Sequence, residues 1–359
     1  MTWLGEQLGR IADDMPERDL GARAIEIHQR RRRNFMALTA AVVVVITVLA
    51  ATVGVRALPA EPRAATRPYI PPEQSTITVG VVPTVESAPV FVAQSKGYFK
   101  EEGLTVQPRM IPGAVATVPQ VLNGMLDLAQ TDYTTVFRVN EMGDKFKIVS
   151  SLHQAAPGSF AIVVNAKSKI RTVTDLKRKK VAVQNLGGLE SLALTAVLKR
   201  AGLTSRDVVQ VEKLYPDMLY AMGKGEVDAA LLAEPFVTQA RETRHTRIVA
   251  DAMTQEFANL YTAGITATDK WISAHPRTLA AFQRALAKAQ RLIASDPQQV
   301  RDLLPTYTRI SKATTAGVAL GSYPAQLDLT ELQRVADLAR AYKFLKRPAD
   351  LRNAVAKGG

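Results

Sequence analysis

The chain has 359 residues, 47% of them hydrophobic and 22% charged, with a formal net charge of +13 and a pI near 9.9. That is enough for one or two domains with real cores, and it is not a disordered or fibrous composition. Cysteine is absent, which excludes disulfides, thiolate catalysis, cysteine-ligated zinc, iron–sulfur clusters and tethering through a lipidated N-terminal cysteine.

The four histidines, His28, His153, His245 and His275, are scattered without the helical pairing of a metal site, so no metal or cofactor is expected. The basic balance raises nucleic acid as a partner. No aromatic platform or nucleic-acid motif accompanies it, and the reading is a solvated basic surface with no nucleic-acid partner.

Residues 1–34 contain seven Arg and six acidic residues, so most of the excess charge lies further on. Within them Leu4, Leu8, Ile11 and Met15 recur at helical spacing and suggest a short amphipathic helix in a cytoplasmic segment, or a solvated tail that only sets topology. Arg30 to Arg33 precede residues 35–55, FMALTAAVVVVITVLAATVGV, which carry no charge from Phe35 to Val55. At about 1.5 Å per residue this run spans roughly 30 Å, the thickness of a bilayer core. The expectation is one transmembrane helix with the N-terminus cytoplasmic and all that follows extracytoplasmic. The imperfect cleavage sites at Ala57 and Ala60 leave a signal peptide as the alternative, but the run is longer than a signal core, which favours an uncleaved anchor. Residues 56–75 hold Pro59, Pro62, Pro68, Pro71 and Pro72 with no apolar period, the composition of a stiff extended linker.

From Thr76 short β-branched runs alternate with helical patterns: ITVGVV, a helix from Pro89 to Glu102, LTVQPRMI, a helix in VATVPQVLNGM, then LDLAQT. Alternation of this kind predicts parallel strands with crossover helices. The pattern restarts with FAIVVNA, KVAVQN, a helix from Leu189 to Ala201, VVQVEKL, a helix from Asp217 to Lys224, and VDAALLA, and the restart suggests two lobes. Helical patterns at 276–295, 297–304 and 329–344 follow and are expected to cover the first lobe.

No nucleophile elbow, P-loop, zinc-protease motif or nucleophilic cysteine is present, so most enzyme signatures are missing. Small and polar residues instead follow strand ends and precede helices, where an open α/β sheet binds ligands against helix N-termini.

VGVVPTVESAPVFVAQSKGYFKEEGLTV resembles the opening of the periplasmic solute-binding proteins of the sulfonate, nitrate, taurine and thiamine-precursor type, the SsuA/THI5-like group of ABC-transporter proteins. TVTDLKRKKVAVQNLGG, LTAVLKRAGLTSRDVVQVEKL and MGKGEVDAALLAEPF are similar to that family's second lobe, so the resemblance covers about 76–345. It implies an α/β Venus flytrap, with 76–164 and 262–359 as lobe one, 165–261 as lobe two, and crossings near Val164 and Asn165 and from Tyr261 to Thr266. It also implies a small-molecule ligand, an ABC-importer permease as partner and no enzymatic activity.

The family's contact positions correspond here to Thr84, Val85, Glu86 and Ser87; Gly113 and Ala114; Thr131, Asp132 and Tyr133; Gly187, Gly188, Glu190 and Ser191; and Glu234, with His153 and Phe160 near the hinge. Each has a plainer role open to it. Gly113 and Gly188 suit tight turns, Thr131 and Ser191 suit helix caps, and Glu86 and Glu190 suit helix dipoles. Tyr215 and His153 read as packing. The acidic lining disfavours an anion and favours a neutral or cationic nitrogen heterocycle, such as a pyrimidine, over a sulfonate or nitrate. A receptor signalling through the span, and a pyrimidine-forming enzyme of the same fold, are the alternatives.

Overall fold

The structure, a computed structural model, describes residues 70–111, 113–143, 146–242 and 245–356. The expected cytoplasmic segment 1–34, the span 35–55 and the linker up to Tyr69 lie outside the described residues. Among the described residues no helix is long and apolar enough to cross a membrane.

Four strands come first: β1 (Thr76–Val81), β2 (Thr105–Met110), β3 (Leu128–Asp132) and β4 (Phe146–Gln154). The next five are β5 (Phe160–Asn165), β6 (Lys180–Val183), β7 (Val209–Glu212), β8 (Ala229–Ala233) and β9 (Thr246–Asp251), and β10 (Tyr261–Thr268) closes the series. They make two sheets, ordered β2-β1-β3-β10-β4 and β7-β6-β8-β5-β9. In each, four strands run in one direction and the inserted strand, β10 or β5, runs antiparallel to both neighbours. The two orders are the same pattern used twice, which is the physical basis of the restart in the sequence.

The helices are α1 (Ala88–Ser95), α2 (Tyr98–Glu101), α3 (Ala114–Leu122), α4 (Tyr133–Glu141), α5 (Leu189–Arg200), α6 (Tyr215–Gly223), α7 (Phe236–Glu242), α8 (Asp269–Ala274), α9 (Pro276–Ser295), α10 (Gln298–Thr308), α11 (Leu329–Ala341) and α12 (Leu351–Ala354). Helix α9 lies on α1 and α2, with Phe282 stacked on Phe99 at 5.3 Å and Arg284 paired to Glu102 at 2.7 Å. One core, with Ile77, Val79, Val90 and Leu286, lies under these helices. The other runs from Ile162 and Leu231 of the second sheet and Leu192 of α5 into Val136 and Phe137 of α4, so the two lobes share buried surface.

The crossings differ from the expected ones. Phe160–Asn165 pairs with β8 and β9, so the chain leaves the first sheet after Gln154 and has joined the second by Phe160, one strand before Val164 and Asn165. It leaves the second after Asp251, and Tyr261–Thr268 is already a strand of the first.

Two further departures concern the edges. The folded part begins inside the expected linker: Glu73 accepts from Arg277 N–H and Thr278 N–H at 3.1 and 2.9 Å and so caps α9, whose first residue, Pro276, has no N–H to cap. Helix α11 covers the return crossing as well as lobe one. Arg334 donates to the carbonyls of Glu256 and Ala258 at 2.9 and 2.6 Å, and Lys199 of α5 sits over the Tyr342 ring at 5.0 Å.

Candidate functional site

The C-terminal ends of β1 and β3 face that of β6 across the gap between the sheets, where open α/β sheets hold ligands. Val82, Glu86, Gln130, Thr131, Asp132 and Ala263 from lobe one meet Gln184, Asn185, Leu189 and Glu190 from lobe two. The space enclosed is about 20 Å³, room for about one water. A larger groove of about 660 Å³ opens on the outside of lobe one. It lies away from the strand ends, and its Lys147 is already occupied by Asp269 at 3.6 Å and the Asn353 carbonyl at 2.5 Å.

Among the described residues, three carboxylates and no basic side chain line the small cavity. Asp132 is the N-cap of α4, accepting from Thr135 N–H at 2.9 Å and Thr135 Oγ1 at 2.6 Å. Helix α5 has no capping side chain of its own, and Asp132 serves it too, accepting from Leu189 N–H at 3.1 Å across the cleft. One carboxylate therefore accepts from the N-termini of two helices in opposite lobes. Burial raises its pKa, against the pull of the Thr135 and Leu189 donors and of Arg138.

Glu86 follows β1 in a 3-10 turn, Val85–Ser87, and accepts from Gln130 Nε2 at 3.2 Å and Thr84 Oγ1 at 3.4 Å. Burial pushes its pKa up to about 7, and Asp132 adds to the shift. Glu190 accepts from Tyr215 OH at 2.5 Å, and Tyr215 is held by stacking on Phe236. Burial, and then the negative charge of Asp132, push Glu190 to about 8. His153 gives no countercharge although its Nδ1 lies 3.8 Å from Glu86. Its Nε2 faces the Leu320 carbonyl at 2.8 Å and must carry the proton, so Nδ1 accepts from Thr262 Oγ1 at 2.8 Å. Burial lowers its pKa to about 4, leaving it neutral.

Of the expected contacts, Glu86, Thr131, Asp132 and Glu190 line the cavity. Thr84 supports Glu86 from behind. Tyr133 does not reach the cavity: its ring is fully buried beside Tyr261, against Gly264, where a Cβ would come within 2.8 Å of it. Ser87 Oγ donates into its own turn, to the carbonyls of Val82 and Thr84. Ser191 is held by the Asn185 carbonyl at 3.0 Å and Gln210 Oε1 at 2.6 Å. Phe160 is buried at the start of β5.

Glu234 is a cap and a tie between lobes. It accepts from Thr238 N–H and Oγ1 at 3.0 and 2.7 Å, at the start of α7, and from Ala319 N–H at 3.2 Å in the segment after α10. Its own carbonyl accepts from Val85 N–H at 3.2 Å.

The glycines sit at the meeting of the lobes. Gly113 precedes α3 and faces Gln184, with Ala114 as the first residue of that helix. Gly188 lies against the Asn185 side chain. Gly187 has φ +84, and Arg138 of α4 donates to its carbonyl at 2.9 Å; a Cβ there would run into the guanidinium.

Gln130, Gln184 and Asn185 are polar residues of the cavity lining that the sequence reading does not reach. All three are polar residues at the end of an apolar strand, in LDLAQT and KVAVQN, and that abrupt change was the available signal. Asn185 Nδ2 donates across the cleft to Thr135 Oγ1 at 2.9 Å, while its Oδ1 is buried with no hydrogen-bond partner.

The family described as NMT1/THI5 like matches residues 84–300. The riboflavin-binding protein RibY of Chloroflexus aurantiacus is 24% identical over 277 residues, covering 74% of this chain and 76% of its own. Among solved structures, the alkanesulfonate-binding protein SsuA of Xanthomonas axonopodis pv. citri, bound to MOPS, superposes with a TM-score of 0.68 at 20% identity, over 79% of this chain and 99% of its own. The desulfurization enzyme DSZB superposes with a TM-score of 0.59 at 17% identity, over 79% of this chain and 96% of its own. The shared architecture is the two-lobed periplasmic-binding-protein fold, which carries binding proteins and an enzyme alike.

Proposed function

Because the chain belongs to the NMT1/THI5-like family of solute-binding proteins, we propose that it captures a small polar organic solute outside the cell and delivers it to the permease of an ABC importer. In this reading residues 35–55 anchor it in the membrane, with residues 1–34 cytoplasmic. The run of four arginines before an uncharged stretch of bilayer length supports that topology.

The solute presents hydrogen-bond donors and is neutral or cationic, a nitrogen heterocycle of the pyrimidine kind rather than a sulfonate or nitrate. One observation carries this. Where an anionic ligand would use opposed helix N-termini, Asp132 already accepts from an N–H of each, and beside the amides of Gln130 and Gln184 what faces the cavity is Glu86, Glu190 and the free Oδ1 of Asn185. These are acceptors, or carboxyls that become acceptors on losing a proton. The enclosed space is smaller than any such solute, so entry requires the lobes to part and reclose around it. Capture rather than turnover fits a site whose histidine has both ring nitrogens engaged and a chain with no cysteine.

Thermal-shift measurement on the full-length protein tests the ligand class. Aminopyrimidines and other donor-rich nitrogen heterocycles should include a stabilising solute, worth about 2.7 kcal/mol at about a hundredfold excess over Kd. Stabilisation by aliphatic sulfonates, taurine or nitrate, with none from the heterocycles, would reverse the assignment.

A further inference from the structure

We infer that the clamp is proton-operated: the empty lobes close by taking up protons on the carboxylates that closure brings together, and they part as those protons leave. The inference shares the carboxylate-lined cleft with the function proposed above but needs no solute.

The geometry is two-sided. Glu86 and Asp132 belong to lobe one, Glu190 to lobe two, and all three line one cavity of about 20 Å³. Glu86 is 8% and Glu190 6% exposed, so little water is left to spread their charge. Parting the lobes returns the facing carboxyls to water, where each has its ordinary pKa. Bringing them together ionised would place three negative charges in one dry space, which burial disfavours strongly unless the charge is compensated.

The groups that could offset this charge come from four elements. His153 of β4 is neutral for the reason given above. Tyr133 of α4 and Tyr323 beyond α10 have raised pKa values through burial and stay protonated. Tyr215 of α6 is likewise neutral and donates to Glu190. Arg138 is the cation that faces Asp132. It is also a latch, donating to Gly187 O at 2.9 Å across the cleft. Glu212 at the end of β7 adds a further acid, accepting from Leu186 N–H at 3.1 Å.

One cation against three carboxylates leaves two charges to neutralise. Asp132, with Arg138 and its three donors, is best placed to remain ionised, so Glu86 and Glu190 are the proton acceptors. The free Oδ1 of Asn185, whose residue is 3% exposed, adds an acceptor in the same space with no donor to meet it. The empty closed cleft is therefore short of hydrogens, and protons supply some of what a donor solute would bring.

The sign of the linkage follows. Both groups have a higher pKa closed, about 7 and 8, than the ordinary 4.5. Closed-state stabilisation is full below 4.5 and is lost as pH rises through about 7 and then 8. Across that window the closing constant changes by roughly tenfold per pH unit for each proton taken up.

The chain's lack of cysteine makes the test direct. Met125 in lobe one and Tyr220 in lobe two are each 66% exposed. Met125→Cys and Tyr220→Cys in the full-length protein, labelled with a donor and acceptor dye, report the interlobe distance without solute. The distance should shorten between about pH 8.5 and about pH 5.5, with a midpoint between the ordinary carboxylate range and the raised values. Adding Glu86→Gln and Glu190→Gln should give a clamp that stays closed at both pH values. A distance that ignores pH in the otherwise unmutated protein, or an unchanged pH response after both Gln substitutions, overturns the inference. If the pH response is present while the heterocycles fail to stabilise, the ligand assignment falls and the proton-operated clamp stands.

Discussion

Single residues at this cleft differ in what occupies their polar atoms. Glu234 is the same residue type as Glu190 and has a place in the family's motif, yet its oxygens are taken by Thr238 and Ala319, whereas Glu190 has Tyr215 behind it and the cavity in front. Glu234→Ala should therefore cost about 1–3 kcal/mol in urea unfolding, from a lost cap and stranded donors. The order of preference among solutes should not change. Unaltered stability with an altered preference would return this carboxylate to the cleft. Asp132 was legible in the sequence because it ends a buried strand and precedes a helix. Tyr133, the next residue, was not, since a helix turns successive side chains by about 100° and here that rotation carries the ring into the core behind Gly264.

At the scale of elements, parallel strands with their crossover helices were the readable part, because hydrophobic runs and helical patterns alternate there. The runs FKIVSSLHQ and YTAGITAT, now β4 and β10, were not assigned. Strand β10 lies inside its sheet and is buried almost throughout, with small residues and threonines instead of an apolar and polar alternation. The linker boundary was missed for a different reason. Glu73 acts on α9, about 200 residues away in sequence, and nothing local marks it. Burial alone would raise the pKa of Glu73, but donors from Thr278 and Arg277 hold it at about 2, below the ordinary 4.5. Its contribution is thus present above pH 4.5 and lost as pH falls towards 2. Glu73→Gln should lower the unfolding midpoint near neutral pH, and the gap to the unmutated protein should shrink as pH falls below 4.5. A gap that is constant with pH would mean that shape, not charge, makes the cap.

The whole molecule sets an acidic cleft inside a chain of net charge +13. Its two sheets repeat one strand order, and the two connections between them, after Gln154 and after Asp251, are where the lobes can bend. The repeat could be read from the restart at FAIVVNA. The crossing was placed one strand late because that run follows β4 so closely, and sequence alone does not show which sheet it joins. Closure unites residues from both lobes that are far apart in the chain, so the opposition of Asp132 to α5, and the carboxyl-rich lining that results, emerge only in three dimensions. The central claim, that this lining selects a donor-rich solute, is tested most directly by native mass spectrometry of the full-length protein purified gently from its own cells. The predicted result is a retained small molecule that is neutral or cationic and carries amino or ring N–H groups. A retained sulfonate, nitrate or carboxylate anion would contradict it.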